Sequence, residues 1–143
     1  MIEILKKTNE KYISQLLKLE KEIFKDSAIS EKSLHSILDD KNYTVYVYII
    51  NDNVCSYLVS LDSIDVYEVI SIATAIEYRN KQCAQKLLDK IKNKDIFLEV
   101  RESNLSAINF YKKNNFKQIS IRKKYYSEPT EDAIIMKLEV NNE

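Results

Sequence analysis

The chain has 143 residues, with 22 Lys plus Arg against 22 Asp plus Glu, one histidine, two cysteines and no glycine. That is room for one domain with a real core, and too little for two ordinary ones. No apolar run nears the roughly 20 residues that cross a bilayer, the start Met1-Ile2-Glu3-Ile4-Leu5-Lys6 has no signal-peptide pattern, and a net charge of +0 offers no global field for nucleic acid. The expected setting is therefore the cytoplasm, with neither membrane nor nucleic acid as partner. Cys55 and Cys83 lack CxxC or metal-ligand spacing and His35 stands alone, so reduced thiols and no metal are expected.

Residues 2–6 alternate as a first strand, and Thr8 offers an N-cap to a helix carrying Ile13, Leu16, Leu17, Glu20, Ile23 and Phe24 at helical spacing. Ser30 opens a second helix with Leu34, Ile37 and Leu38. Residues 43–50 and 54–61 are rich in tyrosine, valine and isoleucine, which marks two strands, and Asn51-Asp52-Asn53 between them reads as a hairpin turn. A further strand covers 66–74. Residues 80–91 read as a helix with Leu87, Leu88 and Ile91 on one face. Strand 96–100, helix 104–114 and strands 116–122 and 133–140 complete the chain, with Pro129, the only proline, in the link 125–132. The result is one α/β domain over 1–143, in the order βααβββαβαββ, without repeat or linker.

Average proteins carry about 7% glycine, so none in 143 independent draws has a chance of roughly 3 in 100,000. Drift in composition is a poor account of that, and a glycine-free engineered redesign of a natural chain is a live reading of its origin. Where turns or caps favour glycine the sequence offers asparagine, the next most tolerant of positive φ: Asn51 and Asn53 between strands, Asn114-Asn115 after a helix.

The densest chemistry lies in LEVRESNLSAINFY, from Leu98 to Tyr111. Glu99 intrudes near the end of an apolar strand, and Ser103 or Asn104 can cap the helix bearing Ala107, Ile108, Phe110 and Tyr111. An acid at a strand end and a tyrosine on the next helix can then face one cleft. Upstream, SIATAIEYRNKQCAQKLL (71–88) runs from strand through turn to helix start, and a helix N-terminus exposes unpaired N–H groups that suit a pyrophosphate. Each feature alone has a plainer reading. Glu99 could be a solvated strand carboxylate, Tyr111 a core aromatic beside Phe110, Arg79 to Ala84 a polar turn, and Asn104 only a cap. Cys83 reads as a small apolar filler, with no histidine nearby to activate it. Arg122-Lys123-Lys124 before Tyr125-Tyr126 reads as a solvated strand end rather than an RNA surface.

Taken together at this spacing, LEVRESNLSAINFYKKNNF and Tyr78-Arg79-Asn80-Lys81-Gln82-Cys83-Ala84 resemble the GNAT superfamily of N-acetyltransferases, and within it the RimI branch, which acetylates protein N-termini. The resemblance covers essentially the whole chain. It implies a mixed, mostly antiparallel sheet whose parallel strands four and five splay apart around acetyl coenzyme A (acetyl-CoA). It also implies Glu99 as base, directly or through water, and Tyr111 as general acid toward the departing thiolate. The backbone of Ile72, Ala73 and Thr74 would line the pantetheine arm, with an N–H near the thioester oxygen as oxyanion donor. Arg79, Asn80, Lys81, Gln82, Cys83, Ala84 and Gln85 would meet the pyrophosphate, and Asn104 would contact the coenzyme.

The family's loop has the form Arg/Gln-x-x-Gly-x-Gly/Ala. Arg79 and Ala84 fit it, whereas Gln82 stands at a glycine position and could cost a charge-assisted hydrogen bond, on the order of 1.5 to 3 kcal/mol. The ending, 122–126 with 132–136, resembles N-terminal acetyltransferases, and its loop would flank the peptide N-terminus together with the turn after Phe24. The expected activity is transfer of acetyl from acetyl-CoA, without metal, to the N-terminal alanine of a small-subunit ribosomal protein. The alternatives are an acetyltransferase of a small amine or lysine, and an inactive coenzyme-binding scaffold.

Overall fold

A computed structural model describes residues 1–127 and 129–140, with the elements in the expected order. β1 (Ile2–Ile4), α1 (Glu10–Phe24) and α2 (Glu31–Asp39) precede a meander of β2 (Tyr43–Ile50), β3 (Asn53–Asp62) and β4 (Val66–Thr74). There follow α3 (Cys83–Leu88), β5 (Asp95–Arg101), α4 (Leu105–Lys113), β6 (Lys117–Tyr126) and β7 (Glu131–Leu138). One seven-stranded sheet runs β1-β2-β3-β4-β5-β7-β6. Neighbours pair antiparallel except β4 and β5, which are parallel.

The helices divide between the two faces, and successive side chains of a strand point to one face and then the other. Ile96, Leu98 and Val100 of β5, with Ile134, Met136 and Leu138 of β7, pack with Leu87 and Leu88 of α3 and Ile108 and Tyr111 of α4. On the other face Val45, Val47, Val54, Tyr57 and Val59 meet Ile13 and Leu16 of α1 and Leu34 of α2. These two helices cover the β2–β4 half of the sheet, so Phe97, Glu99 and Arg101 of β5, which point to this face, border an open cleft.

Several boundaries differ from those read in the sequence. Thr8 is not the cap of α1: Asn9 holds that position, and makes no side-chain cap bond. The helix expected over 80–91 is shorter. Asn80 and Gln82 adopt φ of 64° and 61°, incompatible with a right-handed helix, so α3 starts at Cys83 and ends at Leu88 in a 3-10 turn (Asp89–Ile91). β6 runs past Arg122 to Tyr126, because Asp132 on β7 holds the chain there through the N–H of Lys124 at 2.9 Å and the ammonium of Lys123 at 3.3 Å. That takes two residues from the expected link, of which Glu128 lies outside the described residues.

The turn between β2 and β3 is as expected, with φ of 51° at Asn51 and 63° at Asp52, the two left-handed residues of a type I′ hairpin. Asn53 instead begins β3 in extended backbone. Asn115 takes φ of 71° after α4, where a glycine would be usual.

Candidate active site

Two features of β4 open the sheet. Val59 pairs with Ser71 while Ser60 pairs with Val69, so Ile70 is an extra, bulged residue. The parallel ladder to β5 stops at the same level: Val66, Tyr67, Glu68 and Val69 pair with Asp95 to Leu98, and no pair follows. Beyond it β5 stays with β7, Glu99 opposite Ile135 and Arg101 opposite Ala133, while β4 stays with β3 to Ser56–Thr74. The strands therefore splay. Ile72, Ala73 and Thr74 lie on one arm of the fork, their β5-facing backbone groups free of a ladder partner, and Glu99 is the first residue on the other.

The loop after β4 leads from this fork to α3. Arg79 Nε donates to the Thr74 carbonyl at 3.3 Å and folds the loop back on the strand end. Lys81 stands over the Tyr78 ring, 5.9 Å from its centroid. Gln82 is the N-cap of α3 and makes no side-chain cap bond; its carbonyl accepts from the Lys86 N–H at 3.0 Å. The left-handed backbone that glycine would favour is thus present at Gln82, with a side chain added. Cys83 is buried beside Cys55, whose thiol is pushed up to about 12, chiefly by burial and secondarily by Cys83. Ala84 lies within α3. The Gln85 amide donates to Asp89 and Asn114 at 3.0 and 2.6 Å, so its side chain is engaged inside the fold. Asn104 caps α4, accepting from the Ala107 N–H at 3.3 Å, which selects it over Ser103.

Glu99 faces the open cleft, where Arg122 of β6 stands 3.5 Å from its carboxylate; the two side chains are 21% and 55% exposed. Tyr111 belongs to the opposite core, with ring centroids 5.4 Å from Phe110 and 5.3 Å from Phe116. Burial lifts its hydroxyl above the ordinary tyrosine range, and Tyr126 adds to this. Tyr126, at the end of β6, is itself pushed up to about 12, first by burial and then by Glu99. Tyr126 thus lies within electrostatic reach of both Glu99 and Tyr111, which stand on opposite faces of the sheet.

Three residues of this region were not singled out in the sequence. Arg101 bonds Ser27 at 2.8 Å, the Ser127 carbonyl at 3.2 Å, the Pro129 carbonyl at 3.1 Å and Glu131 at 3.0 Å, and lies 4.4 Å from the Tyr126 ring centroid. It ties the turn after α1 to the β6–β7 hairpin across the cleft. Glu20 of α1, 2% exposed, accepts from Tyr57, from Ser71 at 2.9 Å and from the Ile29 N–H at 3.1 Å, anchoring α1 and the segment before α2 to β3 and β4. Glu68 sits on β4 just before the bulge; burial and then Glu99 raise its carboxyl above the usual range, opposed by Arg122. A charged residue inside the apolar run Val66 to Thr74 was the available signal for Glu68.

This geometry has close counterparts. Residues 41–118 match the Acetyltransferase (GNAT) domain family. A Bacillus subtilis (strain 168) relative, named for bS18-alanine N-acetylation, is 30% identical over 137 residues, covering 90% of both chains. An N-alpha-acetyltransferase of Saccharolobus solfataricus is 45% identical over 76 residues, 48% of this chain and 45% of that protein, so the chain spans less than half the length of that archaeal relative. Among solved structures, the ribosomal-protein-S18-alanine N-acetyltransferase from Escherichia coli superposes with a TM-score of 0.86 at 25% identity, over 100% of this chain and 95% of that one. With a forked parallel pair, a bulged β4 and these relatives, the chain belongs to the GNAT acetyltransferase family.

Proposed function

We propose that the chain is an acetyl-CoA-dependent N-alpha-acetyltransferase whose substrate is the N-terminal alanine of a small-subunit ribosomal protein. The observation that carries this reading is the fork: the β4–β5 ladder ends at Val69–Leu98, one residue before Glu99. The β5-facing backbone groups along Ile72, Ala73 and Thr74, which lie beyond the end of the ladder, would bind the pantetheine arm, and an N–H among them would stabilise the thioester oxyanion. The loop from Arg79 to Gln85 leads to α3 with two left-handed residues and two cations, Arg79 and Lys81, which suits a pyrophosphate. Asn104 would add a coenzyme contact from the start of α4. The relative that matches over 90% of both chains supports the ribosomal substrate.

Glu99 would take a proton from the ammonium, directly or through water; an α-amino group with a pKa of about 7.7 to 8.0 yields it readily. The neutral amine attacks the thioester carbon, an N–C bond forms, the C–S bond breaks, the leaving thiolate takes a proton from Tyr111, and the proton that the attacking nitrogen sheds in becoming an amide passes through water to the Tyr111 phenolate. Burial keeps the Tyr111 hydroxyl protonated at neutral pH, as an acid requires. The peptide would enter between Lys25–Ser27 and the β6–β7 hairpin, the two walls that Arg101 joins.

A thioester-release assay tests this with an alanine-starting peptide and with the same peptide blocked at its N-terminus and carrying an internal lysine. The free N-terminus should be the better substrate. Preferential lysine acetylation would move the chain to another substrate class, and no release with either peptide would make it a coenzyme-binding scaffold.

A further inference from the structure

Among the described residues, Glu20 is the only charged side chain that the core buries, at 2% exposed, and the proposed reaction does not use it. Its partners are three neutral donors. One carboxylate oxygen, Oε2, accepts from the hydroxyls of Tyr57 on β3 and, at 2.9 Å, of Ser71 on β4 just past the bulge. The other, Oε1, faces away from the sheet and accepts from the Ile29 N–H at 3.1 Å. Burial and then Glu20 lift the Tyr57 hydroxyl above the ordinary tyrosine range, so it keeps its proton and donates. An apolar residue could fill this space without the cost of burying a carboxylate, but it could not accept from Ile29.

Ile29 stands two residues after the Lys25–Ser27 turn, one of the two walls assigned to the peptide entrance. That turn opens with Lys25 at φ of 52° and ψ of −118°, a left-handed backbone that a residue with a Cβ holds only when its surroundings constrain it. The constraints lie on either side of the fork. Arg101, on β5 beyond the end of the ladder, donates to Ser27 at 2.8 Å. Glu20, through Ser71, ties Ile29 to β4 beyond the same point. The turn is thus braced against both arms.

We propose that Glu20 is a positioning residue of the peptide site, holding the Lys25–Ser27 turn against the β4 arm as Arg101 holds it against the β5 arm, an assignment that rests on the N-terminal acetyltransferase reading. Glu20 lies too deep to touch substrate and acts through the Ile29 N–H. Losing that bond lets Lys25 relax toward an unstrained backbone and carries the wall with it, so the peptide loses its preformed entrance while the coenzyme strand keeps its ladder to β3.

The test compares the KM of an alanine-starting peptide with acetyl-CoA affinity measured by calorimetry. Glu20→Leu, which removes both acceptors, should raise the peptide KM by about tenfold, the scale of one hydrogen bond to a charged group, and leave acetyl-CoA affinity near wild type. Glu20→Gln keeps an oxygen for the Ile29 N–H and turns its amide toward hydroxyls that can accept, so it should recover most of that loss. A role in the core alone would lower the melting temperature of Glu20→Leu and leave the peptide KM of the folded protein unchanged. That result, or a parallel loss of acetyl-CoA affinity, would overturn the assignment. If Glu20→Leu fails to fold, Ile29→Pro decides, because it removes the N–H and leaves Glu20 with Tyr57 and Ser71. Ala28, already extended at φ of −66° and ψ of 144°, tolerates a following proline. A raised peptide KM in Ile29→Pro with unchanged acetyl-CoA affinity supports the assignment, and an unchanged KM refutes it. A wild-type chain that releases no thiol with this peptide overturns the proposed function and this inference with it, whereas wild-type turnover without the KM effect overturns only the inference.

Discussion

Gln82 illustrates how one backbone dihedral changes the meaning of a residue. As part of a helix over 80–91, glycine in its place would cost helix stability, but at φ of 61° Gln82 is a left-handed N-cap outside the helix. A non-glycine residue there carries a penalty of roughly 1 to 2 kcal/mol. Gln82→Gly should therefore raise stability by about 1 kcal/mol and, by clearing the backbone approach, tighten acetyl-CoA binding; denaturant midpoints and calorimetry should move together. A pantetheine fragment without phosphates should bind both forms equally, and a gain seen with that fragment too would assign the effect to something other than the pyrophosphate. Ile64 is the harsher case, a β-branched residue at φ of 70° and 86% exposed. Ile64→Asn should stabilise the fold by up to about 1 kcal/mol without changing turnover, and a lowered melting temperature would show that the isoleucine side chain has a compensating contact.

Among the elements, the β6–β7 hairpin and the turn after α1 are held together by one side chain. Arg101 offers donors in several directions at once, to Ser27, Ser127, Pro129 and Glu131, which a lysine cannot reproduce. Arg101→Lys should raise the peptide KM several-fold while leaving acetyl-CoA affinity near wild type. An unchanged peptide KM would mean that these walls do not touch the peptide.

Glu131 gives the same link a pH dependence. Hydrogen bonding from Ser103, with the N–H at 3.1 Å from its carboxylate, and the Arg101 guanidinium hold its carboxyl below the usual glutamate range. A lowered folded pKa contributes stability above the unfolded value, near 4.3 for glutamate, and loses it as pH falls through the folded one. The stability difference between wild type and Glu131→Gln should accordingly be constant near neutral pH and shrink below about pH 4. Urea midpoints across that range measure it, and a difference that persists in acid would exclude the carboxylate as its source.

For the molecule as a whole, the proposed chemistry depends on bringing opposite faces of the sheet to one point. Glu99→Gln and Tyr111→Phe should each lower turnover by about 10²-fold, the usual scale for positioned proton transfer, with coenzyme binding retained. Full turnover in both would return the two residues to structural roles, the strand carboxylate and core aromatic that local pattern alone allows. Because the ring of Tyr111 packs against Phe110 and Phe116, the phenylalanine variant keeps that packing and isolates the hydroxyl. A large loss of stability in Tyr111→Phe would make the hydroxyl part of the fold.

Alternation over residues 2–6, the tyrosine, valine and isoleucine content of β2 and β3, the apolar run of β5 and the helical spacing of Ile13, Leu16 and Glu20 were enough to place most elements, because strand propensity and side-chain periodicity are local consequences of strand and helix geometry. The same holds for Asn51-Asp52 as a hairpin turn and for Asn104 as a cap, each acting on backbone within a few residues of itself. Recognisable spacing between Arg79, Glu99 and Tyr111 carried the family. What sequence alone did not determine is non-local. The insertion of β7 between β5 and β6, and the bulge at Ile70 that ends the β4–β5 ladder, depend on which strands meet. Left-handed Asn80 and Gln82 shortened α3 against the apolar pattern of Leu87, Leu88 and Ile91. Glu68, Arg101 and Arg122 acquire partners from strands or turns distant in the chain, so their charges have meaning only once tertiary packing sets them beside one another.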